Sequence, residues 1–159
     1  MIEFFKKVQE ILLRNGKSKS ADPVDILIES YRDLCSLAAQ ISRHAERAPY
    51  PHVARLLRRL AQEKQSSADL LRDKLLGAGT RLEEMAFEIK SGKNHWERMT
   101  QDLNDHRALE TRLLERATLI GEQAPETAES LRQIAASHRP HTEAILDLIA
   151  RADPQAEQT

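Results

Sequence analysis

The chain has few glycines, few aromatic residues and one cysteine. Of its 159 residues, 5 are glycine, 4% are aromatic and only Cys35 is a cysteine. One cysteine can form neither an intrachain disulfide nor a thiolate metal cluster, and Cys35 lies close to Leu34 and Leu37, so we interpret it as a small buried apolar residue. The formal net charge is −1. Such a balance gives no overall field that would attract nucleic acid, and we expect no nucleic-acid partner.

Long apolar runs and familiar catalytic motifs are also missing. No apolar run approaches the roughly 18 residues of a membrane span. The N-terminus has neither a continuous hydrophobic region nor the small-residue cleavage site of a secretory signal. The sequence contains no glycine-rich phosphate loop, no paired cysteine motif and no clear nucleophile–base spacing. It therefore predicts a cytoplasmic protein without hydrolase, kinase or nucleotide-binding chemistry.

The composition instead favours long amphipathic helices, with 31% charged and 40% hydrophobic residues. Residues 57–75 resemble residues 131–149 at an offset of 74 residues, and Pro51 and Pro125 keep that offset. A repeat of this kind predicts a helical hairpin followed by a second, similar hairpin.

Four segments carry apolar residues at alternating spacings of three and four, which is the pattern of bundle helices. The predicted helices cover residues 23–48, 51–76, 94–121 and 125–152. The stretch between the second and third helices is too long for a tight turn, so we predict a crossover with a short helix over residues 80–90. The resulting fold is an all-α, antiparallel four-helix bundle over residues 22–154, followed by a frayed tail at 155–159.

Residues 1–21 are predicted to form a short amphipathic helix, over 2–14, and a polar linker. Two interpretations of the helix remain open. We favour its docking on the bundle or on a partner subunit. The alternative is peripheral contact of residues 2–14 with a membrane surface, aided by the lysines and arginines of this region.

Polar residues interrupt the apolar stripes near the middle of three helices. Because mid-helix positions reach a similar height in an antiparallel bundle, we expect these side chains to converge; they are Lys64, Ser67, His106, Glu110, His138 and His141. The first helix adds only the hydroxyl of Tyr31. A charge buried in a core must be paired, bound to a metal or neutralised.

Two interpretations of this cluster compete. A single transition metal, iron or zinc, could be bound by His106, Glu110, His138 and His141, because the last two lie one turn apart on one face. Alternatively, Lys64 pairs with Glu110 inside a polar network that includes Ser67 and Tyr31. We favour the network and expect no cofactor, because an ammonium group beside a metal ion is electrostatically unfavourable.

Several other features receive simpler interpretations. Pro140, between the last two histidines, should kink the fourth helix. His44, His52 and His95 lie near helix ends and are expected to be solvated. The basic patch on the second helix is also expected to be solvated, because no aromatic residues interleave it; its members are Arg55, Arg58 and Arg59.

The second-helix sequence LRRLAQEKQSSADLLRDKLLGAG, the fourth-helix sequence LRQIAASHRPHTEAILDLIARADP and the crossover together resemble the ferritin-like superfamily, on its rubrerythrin and bacterioferritin side. The resemblance covers about residues 23–154. It implies two metal ions inside the bundle and ferroxidase, peroxidase or oxygen-dependent oxidation.

Position by position, the superfamily's metal ligands are largely replaced. Its second-helix Glu-x-x-His corresponds here to Lys64-Gln65-Ser66-Ser67, and its fourth-helix motif to His138-Arg139-Pro140-His141. The third-helix carboxylate corresponds to Asp105 or Glu110, or is replaced by His106, and on the first helix Glu29 and Asp33 lie just off the inner stripe.

From these replacements we expect a ferritin-like bundle that has lost di-iron chemistry and acts as a binding or interaction protein, as a homodimer. The alternative is a metal-binding protein with an altered site, related to iron or oxidative stress. If it is an enzyme, it is a metal-dependent oxidoreductase.

Overall fold

The computed structural model of the chain describes residues 2–3 and 21–152. Four long helices make up this part: α1 (Pro23–Glu46), α2 (Pro51–Gly77), α3 (His95–Ile120) and α4 (Pro125–Arg151). Each boundary lies within two residues of the prediction, and the described residues contain no strand. The all-α fold class is therefore confirmed for this part of the chain.

Local capping explains where the helices begin. The side chain of Asp22 accepts a hydrogen bond from the Val24 amide at 2.9 Å, directly before a proline at the first helical position. Asn94 caps α3 by accepting from the Glu97 amide at 2.8 Å, and the Glu97 carboxylate accepts from the Lys93 amide at 2.7 Å. Prolines also open α2 and α4.

The helices pack as two hairpins, α1 with α2 and α3 with α4, joined mainly through α1 and α3. Arg98, near the start of α3, donates to the backbone oxygen of Arg47, just after α1, at 3.1 Å. Near the other end of α3, Arg116 forms an ion pair of 2.8 Å with Asp33 of α1. These contacts show that α1 and α3 are antiparallel, so α3 begins at the same end of the bundle as α2, as predicted.

The crossover between α2 and α3 is not helical, and the predicted short helix over residues 80–90 is wrong. Residues 80–92 have no regular secondary structure. A helix rises about 1.5 Å per residue, whereas an extended chain covers about 3.3 Å. Only an extended chain of this length can return along a helix of 27 residues. Leu82, Met85 and Phe87 of the crossover pack against the core.

The core is formed by leucine, isoleucine, alanine and methionine side chains from all four helices. Cys35 belongs to it, as predicted. The predicted N-terminal helix lies outside the described residues apart from residues 2 and 3, and so does the predicted tail at 155–159. Within the described part of the chain, no helix combines the length and the apolarity needed to cross a bilayer.

Candidate functional site

Lys64 lies at the centre of the bundle and is completely buried. His106 and His138 are also completely buried, and His141 is 6% exposed. The ring centroids of His106 and His138 are 5.6 Å apart, those of His106 and His141 are 6.2 Å apart, and those of His138 and His141 are 6.5 Å apart. The structure therefore brings together four of the six polar residues singled out in the sequence, from α2, α3 and α4.

Backbone carbonyls fix the tautomers of two histidines. Nδ1 of His106 lies 2.7 Å from the backbone oxygen of Asp102, and Nδ1 of His138 lies 2.9 Å from that of Ile134. A carbonyl only accepts hydrogen bonds, so each Nδ1 donates and each neutral ring keeps a lone pair on Nε2. Both Nε2 atoms are buried and have no hydrogen-bond partner in the part of the chain that the structure describes.

His141 has the opposite tautomer. Its Nε2 hydrogen-bonds with the carboxylate of Glu63, on α2. The ring therefore donates from Nε2 and keeps its lone pair on Nδ1, which is buried and also has no partner among the described residues. Three imidazole lone pairs are thus enclosed in the bundle.

Burial and Lys64 control the charges of this cluster. Burial lowers the pKa of Lys64 to about 7, although the carboxylates of Glu63 and Glu110 act in the opposite direction. Burial and the positive charge of Lys64 lower the pKa of His106 to about 2 and that of His138 to about 3. The same two causes lower the pKa of His141. The histidines are therefore neutral at pH 7, and Lys64 is close enough to act on each of them.

The other predicted site residues lie outside the cluster. Glu110 is half-buried and makes no ion pair with Lys64 within residues 21–152; the Lys64 ammonium has no hydrogen-bond partner there. The inward positions of this part of α3 are taken by Leu109 and Leu113. The predicted pairing of Lys64 with Glu110 is therefore not formed.

Ser67 and Tyr31 are half-buried as well. Ser67 donates to the backbone oxygen of Glu63 at 3.2 Å, one turn back in its own helix, while Ala68 takes the buried position. Tyr31 lines a groove of about 720 Å³ between α1, α2 and the crossover. Neither hydroxyl belongs to the buried cluster: Ser67 and Tyr31 lie at the edges of their buried stripes, about 40° around the helix from the buried Leu71 and Cys35.

Pro140 lies on the exposed side of α4, between His138 and His141. The helix is continuous from Pro125 to Arg151 through this proline. Pro140 has no amide hydrogen, so it leaves the carbonyl four residues before it without its helical partner.

A second buried polar cluster was missed by the sequence reasoning. His44, predicted to be solvated, is completely buried, and its Nδ1 lies 2.7 Å from the buried carboxylate of Asp102. Gln40 donates to Asp102 at 2.7 Å and to Asp105 at 2.9 Å. Nε2 of His44 lies 3.1 Å from the backbone oxygen of Lys90 in the crossover. The prediction for His44 failed because its helix end is covered by the crossover.

Of the other residues predicted to be solvated, one is buried and the rest are exposed. His95 is buried, at 7% exposure, so the prediction that it is solvated is wrong. His52 is exposed and stacks on Tyr50, with ring centroids 5.7 Å apart. The arginines of the basic patch on α2 are exposed. One signal could have revealed the second cluster: Asp102 shares a helical face with the apolar Met99 and with His106.

Comparison with known proteins identifies the fold. No family model matches the chain, and no curated protein matches it in sequence. A mycobacterial bacterioferritin matches it in structure with a TM-score of 0.73 and 21% identity, over 82% of this chain and 86% of that chain. BfrA from M. tuberculosis matches with a TM-score of 0.74 and 18% identity, over the same shares. The chain has the ferritin-like fold. At these identities the match shows the fold alone.

The interior of this ferritin-like bundle does not fit a di-iron centre. Such centres take a Glu from each of two helices and a Glu-x-x-His pair from each of the other two. Here Lys64 lies in the centre, and Glu63 and Glu110 are not buried. No group of three or more His, Cys, Asp or Glu side chains among the described residues is placed to hold a metal ion.

Proposed function

We propose that this chain is a ferritin-like bundle protein without di-iron oxidative chemistry, which acts as a binding or interaction protein. The observation that carries the proposal is the complete burial of Lys64 among three neutral histidines. In a di-iron bundle this interior must be rich in carboxylates, because they offset the charge of the two metal ions.

Electrostatics supports the proposal. An ammonium group a few ångströms from a divalent ion repels it strongly in a medium less polarisable than water. Of the carboxylates whose charges act on Lys64, Glu63 is turned towards His141 and Glu110 is only half-buried. The cluster therefore lacks the negative charge that iron oxidation requires.

We further infer that the binding role includes self-association into a homodimer through a bundle face. Several leucines are 41–64% exposed on α2, α3 and α4; they are Leu70, Leu76, Leu114, Leu119 and Leu146. Apolar area of this kind can be covered by a second copy of the chain. Sedimentation at several concentrations tests this, and a monomer at every concentration would contradict it. Contact of residues 2–14 with a membrane and a cytoplasmic location remain predictions.

Iron loading tests whether the chain carries out di-iron oxidative chemistry. The purified full-length chain is mixed with Fe²⁺ without oxygen, its bound iron is measured by elemental analysis, and Fe²⁺ oxidation is then followed in air beside a ferroxidase-active ferritin. We expect fewer than two bound iron ions per chain and oxidation no faster than in buffer. Two bound ions with catalytic turnover would refute the proposal.

A second candidate is a protein that binds one transition-metal ion through His106, Glu110, His138 and His141. The three enclosed imidazole lone pairs favour it, because neutral imidazole is a common metal ligand. It predicts about one equivalent of metal in the untreated protein, lost in His138→Ala and in His141→Ala. Elemental analysis without metal, even after reloading, would remove this candidate.

A further inference from the structure

The ammonium group of Lys64 and the three imidazole lone pairs match in number and in chemistry. A lysine ammonium has three N–H donors and no acceptor. The enclosed acceptors are Nε2 of His106, Nε2 of His138 and Nδ1 of His141. Within residues 21–152, neither these three atoms nor Nζ of Lys64 has a hydrogen-bond partner. The positive charge of Lys64 also acts on each ring and lowers its pKa. The lysine therefore supplies the positive charge towards which the three lone pairs can turn.

We propose that His106, His138 and His141 form a latent trihistidine metal site that Lys64 occludes, and that a cobalt, nickel, copper or zinc ion binds there once the lysine nitrogen is removed. This inference rests on the proposed function, in which the cluster holds no iron.

The three rings are spaced slightly too widely to hold a metal ion as they stand. Imidazole nitrogens lie about 2.0–2.1 Å from Zn²⁺, which places tetrahedrally arranged ring centroids about 5 Å apart. The observed separations are 5.6, 6.2 and 6.5 Å. Metal binding therefore requires the rings to close by about 1 Å, and the positive charge of Lys64, which acts on each ring, opposes the entry of a cation.

The surroundings of the rings are those of metal-binding histidines. A histidine ligand commonly donates its other ring N–H to a backbone carbonyl or a carboxylate, which fixes the tautomer and the ring orientation. His106 and His138 donate to carbonyls, and His141 donates to Glu63. Three nitrogen donors and one open position suit late first-row divalent ions better than a carboxylate-lined iron site does. The site would therefore differ from a di-iron centre in nuclearity and in metal.

The test is a Co²⁺ titration of Lys64→Met, in which an apolar side chain of similar length replaces the amine. Co²⁺ reports its own coordination, because tetrahedral Co²⁺ absorbs visible light far more strongly than the octahedral aqueous ion. We expect Lys64→Met to bind about one Co²⁺ per chain, at least about tenfold more tightly than the wild type, and Zn²⁺ to displace it.

Three controls make the result specific. Lys74→Met removes an exposed lysine from the same helix and should leave Co²⁺ binding as in the wild type. Adding His138→Ala to Lys64→Met should abolish binding, and adding His52→Ala, at an exposed histidine, should not. If Lys64→Met does not fold by circular dichroism, Lys64→Leu takes its place.

Two results would overturn the inference: folded Lys64 variants that bind Co²⁺ no better than the wild type, or binding that survives loss of His138. Either result leaves the proposed function intact. Iron oxidation by the wild type would instead refute the proposed function.

Discussion

Nδ1 of His44 lies 2.7 Å from Oδ2 of Asp102, and both side chains are completely buried. The pair joins the last turns of α1 to the first turns of α3. Nε2 of His44 lies 3.1 Å from the backbone oxygen of Lys90, so each ring nitrogen faces an oxygen acceptor. His44 therefore links α1, α3 and the crossover at this end of the bundle.

Asp102→Ala is expected to destabilise the fold by about 2–5 kcal/mol, because it leaves the buried Nδ1 of His44 without its partner and Gln40 without one acceptor. Asp105→Ala is the matched control: Asp105 also accepts from Gln40, but its side chain is 30% exposed and pairs with the exposed Lys90. This control should cost only about 0–1 kcal/mol. Urea unfolding at pH 7 measures both values, and equal losses would show that the buried pair has no special role.

Stability should rise with pH above neutrality because of Lys64. Its pKa is about 7 in the folded chain and 10.5 ordinarily, so between these values the unfolded chain binds the extra proton. Each pH unit in this window then adds up to about 1.4 kcal/mol to the free energy of unfolding. Urea unfolding from pH 7.5 to 9.5 measures the slope, which should be clearly smaller in Lys64→Met. Identical slopes in the two proteins would contradict the assignment.

Acid should destabilise the chain through the histidines of the cluster. The pKa of His106 is about 2 and that of His138 about 3 in the folded chain, against an ordinary value of 6.5. The unfolded chain therefore takes up protons below pH 6.5 that the folded chain does not, and stability falls as the pH drops from 6.5 towards 3.

Unfolding measured between pH 6.5 and 5 isolates this effect from most carboxylates. His138→Asn should reduce the slope by up to about 1.4 kcal/mol per pH unit, whereas the exposed His52→Asn should not. A wild-type stability that is constant over this range would show that the buried histidines are already charged in the folded chain.

Much of the fold could be predicted from the sequence because its signals are local. Prolines at 23, 51 and 125 and the caps Asp22 and Asn94 mark helix starts, and the apolar spacing marks the buried faces. The crossover was harder. Its apolar residues also suit a short helix, and only the distance between the ends of α2 and α3 requires an extended chain.

The candidate site could be predicted in part for a similar reason. Lys64, His106, His138 and His141 occupy apolar stripes, so their burial follows from helical periodicity. Ser67 and Glu110 lie at the edges of those stripes, where a rotation of a few tens of degrees decides between core and surface. The burial of His44 depends on a non-local contact, because the crossover passes over the end of α1. The spacing of residues within α1 does not indicate that contact.

Pro140 places a destabilising residue one position before His141, and its replacement should show what it costs. Pro140→Ala restores an amide that can donate to the backbone oxygen of Ala136, on an exposed side of α4. We expect a gain of about 1–3 kcal/mol in the free energy of unfolding. Pro125→Ala is the control, because a proline at the first helical position costs no hydrogen bond and its loss should change little. Should Pro140→Ala destabilise the chain instead, the proline would be holding His141 and Glu63 in register.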